Sequence, residues 1–196
     1  MFEKEIINKL DDLIKTKFPQ ILNFKFDGII LLIGGAIKDV IMDKTIKDLD
    51  FTLLTNGKGN VLEFIKHNNF KYKKNKYRGY KIIHKNIEID IDTANDLLDV
   101  GHLNTDFLFY DVMRKQLIPI GIKQAINKKI IYEYYYQGYK IPQKRIKKAK
   151  DFINFMNSNK KRTTVIRCYF RPFKLLKGII KRINFRRNNE QNKITK

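Results

Sequence analysis

Two aspartates one residue apart, Asp48 and Asp50, open an apolar run eight residues after the segment Ile33-Gly34-Gly35-Ala36-Ile37-Lys38-Asp39. Side chains two apart on a strand point to the same face. Asp48 and Asp50 can therefore share one divalent cation. The glycine pair leaves an apolar run, Gly28 to Ile33, and opens a helical stretch. Glycines let backbone N–H groups come close to a phosphate at such a helix start. Metal carboxylates beside a phosphate cradle are what nucleotidyl transfer requires.

The elements that would position these groups follow from periodicity. Phe2, Ile6, Ile7, Leu10, Leu13, Ile14 and Phe18 recur at helical steps, so residues 2–18 are expected to form an amphipathic helix that Pro19 ends. Strands are expected over 28–33 and 48–55, with a helix over 35–42 between them and another over 59–68. Residues 70–92 read as two or three antiparallel strands, turned at Arg78-Gly79 and Lys85-Asn86. Helix and loop are expected over 93–104, a strand or hairpin over 106–119 and a short helix over 121–128. A longer helix follows Pro142 from 143 to about 158, with one or two more between 163 and 185. Strands mixed with helices in the first 135 residues, then helices alone, predict an α/β (α+β) head followed by a short basic helical region. The expected divisions are 1–26 (a helix packing on the head), 27–137 (head), 138–187 (basic neck-like region) and 188–196 (disordered tail).

The glycine and aspartate motifs together resemble the nucleotidyltransferase head domain of the poly(A) polymerase and CCA-adding tRNA nucleotidyltransferase family. Its signature is Gly-Gly-x-Val-Arg-Asp, a short spacer, then Asp-x-Asp. Gly34, Gly35, Ile37, Lys38, Asp39, Asp48 and Asp50 fall at that spacing without a gap. Lys38 replaces an arginine, which keeps charge but loses bidentate geometry. Asp43 stands where a spacer glycine is common.

The resemblance implies a mixed sheet with flanking helices and a third acid on a neighbouring strand. Ile87-Glu88-Ile89-Asp90-Ile91-Asp92 supplies three candidates on one strand face. Asp90 is favoured, with isoleucine on both sides. Glu88 is the alternative, because the CCA-adding branch often has a glutamate near this point. Asp92 ranks last, as a cap for the turn after it. By the resemblance, Asp48, Asp50 and Asp90 bind two Mg²⁺ ions, and Gly34, Gly35 and Lys38 contact the phosphates of a nucleoside triphosphate. In-line attack at the α-phosphorus then releases pyrophosphate. Lys47 and Thr52 flank the pair and are assigned surface roles.

A later family motif is matched at Tyr110-Asp111 and Leu117-Ile118. Counting back from these anchors, His102 falls where the family has its catalytic-loop aspartate and Asp106 where it has an asparagine. The family's arginine pair is absent. Ile146-Lys147-Lys148-Ala149-Lys150-Asp151-Phe152 resembles the start of the neck helix, with lysines replacing arginines. The resemblance covers residues 25–158 and is strongest over 29–55.

Charge suggests the partner. The chain of 196 residues carries +21, and residues 138–196 hold 19 Lys/Arg against two acids, Asp151 and Glu190. Codon bias would raise basic content everywhere, whereas this excess is confined to the C-terminal third. It suits a polyanion such as RNA, with Lys147, Lys148, Arg162, Arg167 and Arg171 as candidate contacts. Phe173, Leu176, Ile180 and Ile183 share a helical face there. That face packs on the head with its cations toward RNA, is merely solvated, or lies on an anionic membrane surface. The single cysteine, Cys168, excludes an internal disulfide, and no run is long enough to span a membrane, so a cytoplasmic location is expected and membrane contact is not. The expected activity is Mg²⁺-dependent, template-independent transfer of NMP from NTP to an RNA 3′ end, with tRNA the leading acceptor. The alternatives are nucleotidylation of a protein or small molecule, and an inactive RNA-binding module on the same fold.

Overall fold

A computed structural model describes residues 2–54, 61–75, 79–95, 103–120, 122–128, 130–134, 141–157 and 164–168. The first helix, α1 (Phe2–Lys17), buries Ile6, Leu10 and Ile14, and the chain turns at buried Phe18. Phe18 sits among Phe51, Phe64, Phe70 and His84, with ring centroids 5.8 Å from Phe51 and 5.5 Å from Phe70. The other end of the contact is polar: Lys115 Nζ donates to Asp11 Oδ2 at 3.1 Å.

After α1 come β1 (Ile29–Ile33), α2 (Gly35–Ile41), β2 (Asp48–Leu54), α3 (Val61–His67), β3 (Tyr72–Lys74), β4 (Tyr80–His84) and β5 (Ile87–Ala94). A hairpin of β6 (Leu108–Asp111) and β7 (Gln116–Pro119) completes a seven-stranded sheet ordered β3-β4-β5-β2-β1-β6-β7. Within this sheet, among the described residues, β2 and β5 are the one parallel pair and the other neighbours are antiparallel. Ile82, Ile87, Ile89, Ile91, Leu49, Phe51 and Leu53 share the buried cluster with α1, α2 and α3 residues. The alternation along β2 and β5 sends their acids to the opposite face.

Local turn chemistry fits this frame. Lys85 and Asn86, at φ 49° and 61°, make the tight turn between β4 and β5. Asp43, at φ 55°, takes the left-handed conformation that a spacer glycine would favour. Aspartate is among the few side chains that tolerate it, so the helix-to-strand turn survives the replacement.

Two expectations need correction. Thr93 and Ala94 belong to β5 rather than to a helix or loop, and residues 96–102 lie outside the described residues. The C-terminal region is not all helical. After α4 (Ile122–Lys128), β8 (Ile130–Tyr134) pairs in parallel with β9 (Thr164–Cys168), and α5 (Gln143–Met156) is the crossover between them. A parallel pair needs such a crossover. Thr164-Val165-Ile166 is a β-branched run that fits a pleated strand better than a helix. Residues 169–196, including the expected helical face from Phe173 to Ile183, lie outside the described residues.

A second, smaller core joins Leu103, Ala125 and Ile131 to Ile141, Ile146, Ala149 and Ile153. Phe152 of α5 packs into the main core instead. The helix thus touches both.

Candidate active site

The parallel ladder brings the acids together. Asp48 lies opposite Glu88, and Asp50 opposite Asp90, on adjacent strands. Asp50 is deeply set. Burial, then the neighbouring Asp48 and Asp90, push its carboxyl up to about 7. Asp90 is also raised, chiefly by burial, although Lys81 opposes this. Its Oδ1 is buried and has no hydrogen-bond partner among the described residues.

The other two candidates on β5 are engaged elsewhere. Exposed Glu88 accepts from Lys81 Nζ. Asp92 Oδ1 accepts from Asn75 Nδ2 at 2.6 Å. This ties Asp92 to the residue that follows β3, and the Thr93-Ala94 segment it was expected to cap continues β5. Thr52 is buried rather than on the surface.

Gly34 and Gly35 border the acids closely. Gly34 has φ +74°, and a Cβ there would lie 2.7 Å from Asp50 Oδ2. A Cβ at Gly35 would lie 2.8 Å from Lys148 Nζ. Any side chain at these positions would fill the space between the carboxylates and the ammonium. Lys148 Nζ donates to Asp39 Oδ2 at 2.6 Å, so α5 places a cation directly over the glycine pair.

Lys38 is not where the motif suggested. It is 4% exposed, and its Nζ donates to Asp106 Oδ1 at 3.2 Å and to the Thr105 carbonyl at 3.5 Å. Asp106 Oδ2 accepts from the Leu103 N–H at 3.0 Å and pairs with Arg145 Nη2, also at 3.0 Å. Burial alone would raise the Asp106 carboxyl, but Lys38, Arg145 and the Leu103 N–H together hold it below the usual range. Lys38 is therefore buried and held by an acid, and its ammonium is turned to Asp106.

Arg145 is the residue the sequence reading missed. It stands one residue before the segment compared with the neck helix, and three residues before Lys148, so both share one face of α5. Besides holding Asp106, its charge opposes the rise at Asp50. Lys147 is exposed on the same helix, and Arg167 lies on β9. Arg162, Arg171 and His102 lie outside the described residues.

The donor set suits a hard cation. Asp48, Asp50 and Asp90 offer only carboxylate oxygen, one oxygen is buried without a partner, and like charges crowd until a cation relieves them. Among the described residues, no three His, Cys, Asp or Glu side chains are gathered closely enough to hold a metal ion by themselves, Asp48, Asp50 and Asp90 included. Mg²⁺ does not require such a group, since it commonly uses one or two carboxylates together with water and phosphate oxygens.

Comparison with known proteins bears on the fold. The family described as the polyphenol oxidase middle domain matches residues 96–149. That segment is about a quarter of the chain and holds a single histidine and no cysteine. No curated protein matches. A CCA-adding enzyme in complex with CTP is similar over 67% of this chain and 36% of its own, at 18% identity and a TM-score of 0.51. A Thermotoga maritima CCA-adding enzyme complexed with tRNA matches over 66% and 35%, at 20% identity and a TM-score of 0.49. The chain thus spans about a third of the length of these neighbours. The first of these likenesses shows a nucleotidyltransferase-like fold, the mixed sheet with flanking helices that the sequence predicted.

Two outcomes follow from the buried charges. Asp106→Leu strands Lys38 in the interior and is expected to cost about 3–5 kcal/mol in urea unfolding, with Lys38→Met/Asp106→Leu recovering most of it. A raised carboxyl means that the folded chain holds the Asp50 proton more tightly than the unfolded chain. Its contribution is present at low pH and is lost as pH climbs from 3.8 through about 7. In chelator, Asp50→Asn is therefore expected to raise Tm above the parent at pH 8 and to give little gain at pH 4. Thermal melts at the two pH values check this.

Proposed function

We propose that the chain transfers a nucleotidyl group, carrying NMP from an NTP to the 3′ end of an RNA, with tRNA the leading acceptor. The observation that carries this reading is the pairing of Asp50 with Asp90 in the parallel ladder, with the Gly34 backbone packed directly against Asp50. Carboxylates and an open backbone cradle thus share one spot on the sheet.

Mg²⁺ held by Asp48, Asp50 and Asp90 would supply charge neutralisation at the reacting phosphate and activation of the attacking hydroxyl. The chain's own groups do the rest. Gly34 and Gly35 leave room for phosphate oxygens to approach the backbone. Lys148, swung over Gly35, is positioned to take a share of the triphosphate charge in place of Lys38. Asp39 holds that ammonium in place, and Arg145 keeps positive charge near Asp50. The basic excess of residues 138–196 supports RNA as the acceptor.

The test offers each labelled NTP separately, with Mg²⁺ and total RNA. Label is expected in RNA with the intact chain and at background with Asp48→Asn/Asp50→Asn. Label on a protein or small molecule instead would replace RNA as the acceptor. RNA retained on a filter with no label transferred would leave an inactive binding module. In the same assay Lys148→Gln is expected to raise KM for NTP about tenfold, equivalent to ~1.4 kcal/mol. An unchanged KM would remove Lys148 from the phosphate site.

A further inference from the structure

The face that carries the acids continues to the sheet edge, and its chemistry changes sign on the way. Asp50 pairs with Asp90, Asp90 with Lys81, and Lys81 with Lys73. The four residues form one row across β2, β5, β4 and β3. Strands lie about 4.8 Å apart, so the row runs roughly 14 Å from Asp50 to the edge.

Its outer half is cationic and open. All three residues of β3 are exposed, and β3 ends the sheet. Lys81 Nζ sits beside Glu88 and 3.5 Å from Asp90 Oδ2. Lys73 faces Lys81 rather than an acid. Like charges directly opposite each other are unfavourable in a sheet, and an anion laid between them reverses the sign of that interaction. Ile83, two residues along β4 on the same face, is 71% exposed, an apolar contact beside the two cations.

The described residues at the inner ends of β3 and β4 are tied together. Asn75 N–H donates to the Gly79 carbonyl at 2.9 Å, and Gly79 N–H donates to Asn75 Oδ1 at 2.8 Å. Asn75 Nδ2 also reaches Asp92. The β3–β4 edge is thereby pinned to the strand that carries Asp90.

The geometry points to this row as the track for the acceptor: the single-stranded 3′ end of an RNA, with backbone phosphates against Lys73 and Lys81 and its terminal hydroxyl brought to the Asp90 side of the carboxylates. This inference rests on the transfer reading above. It places the two polyanions on opposite sides of the acids. Gly34, Gly35 and Lys148 lie on the β1 side of β2, whereas Lys81 and Lys73 lie on the β5 side.

The test uses the full chain and a single-stranded oligoribonucleotide of about 12 nucleotides, followed by fluorescence anisotropy across a salt series. Lys73→Ala is expected to reduce the slope of log K against log salt by about 0.7, the value for one lost phosphate contact on a single strand, and Lys73→Glu by more. Both are expected to raise KM for RNA and leave KM for NTP unchanged. Unchanged slope and RNA KM in both variants, with the fold intact by circular dichroism, would overturn the track alone if the parent labels RNA. Label on a protein or small molecule would overturn the track and the RNA reading together. A reduced slope in a chain that transfers nothing would leave RNA bound on the row but overturn its role as an acceptor track, together with the transfer reading.

Discussion

Like charge crowded on one face of a twisted sheet is the constraint on which the rest depends. The parallel pairing of β2 with β5 sets Asp50 beside Asp90 and Asp48 beside Glu88, and burial makes that crowding expensive. The alternating isoleucines of β5 supply the compensating term, since each acid sent to one face sends an apolar side chain into the core on the other. The sheet thus holds a locally unfavourable cluster by means of the face that carries none of it. Lys81 and Arg145 temper the cluster from its two sides without closing it.

A second buried group works in the reverse sense. Asp106 is paired with Lys38 of α2 and Arg145 of α5 and is also bound to the Leu103 N–H. Three parts of the chain converge on one carboxylate. Such a network gives little net stability over an apolar core, but it fixes one arrangement, because each partner left alone is costly. Its effect here is to aim the first turns of α5, and with them Lys148, at the glycine pair.

The sequence was legible where the chemistry is local. Gly34, Gly35, Asp48 and Asp50 lie within one strand–helix–strand unit, and their spacing is enough to place them on it. The alternating acids of β5 were equally plain, because a period of two announces a face. What depends on distant partners is not legible locally. Lys38 carries the right charge at the right spacing, yet its partner is Asp106, 68 residues away. The helical spacing of the apolar residues beyond β9 predicts a helix where that strand stands, and its partner β8 lies on the far side of α5 in the chain. Arg145 had no motif of its own, and its importance appears only once α5 is folded against the head.

The position of α5 has a mechanical consequence. Phe152 is seated in the main core, while Ile146, Ala149 and Ile153 belong to the smaller one. The helix is a wall shared by two rooms. A shift of the β8–β9 layer relative to the main sheet would tilt that wall. The tilt would move the Lys148 ammonium over Gly35 and the Arg145 charge near Asp50 in concert. Strain arising at the C-terminal layer would therefore reach the glycine pair, although no residue of β9 needs to touch it.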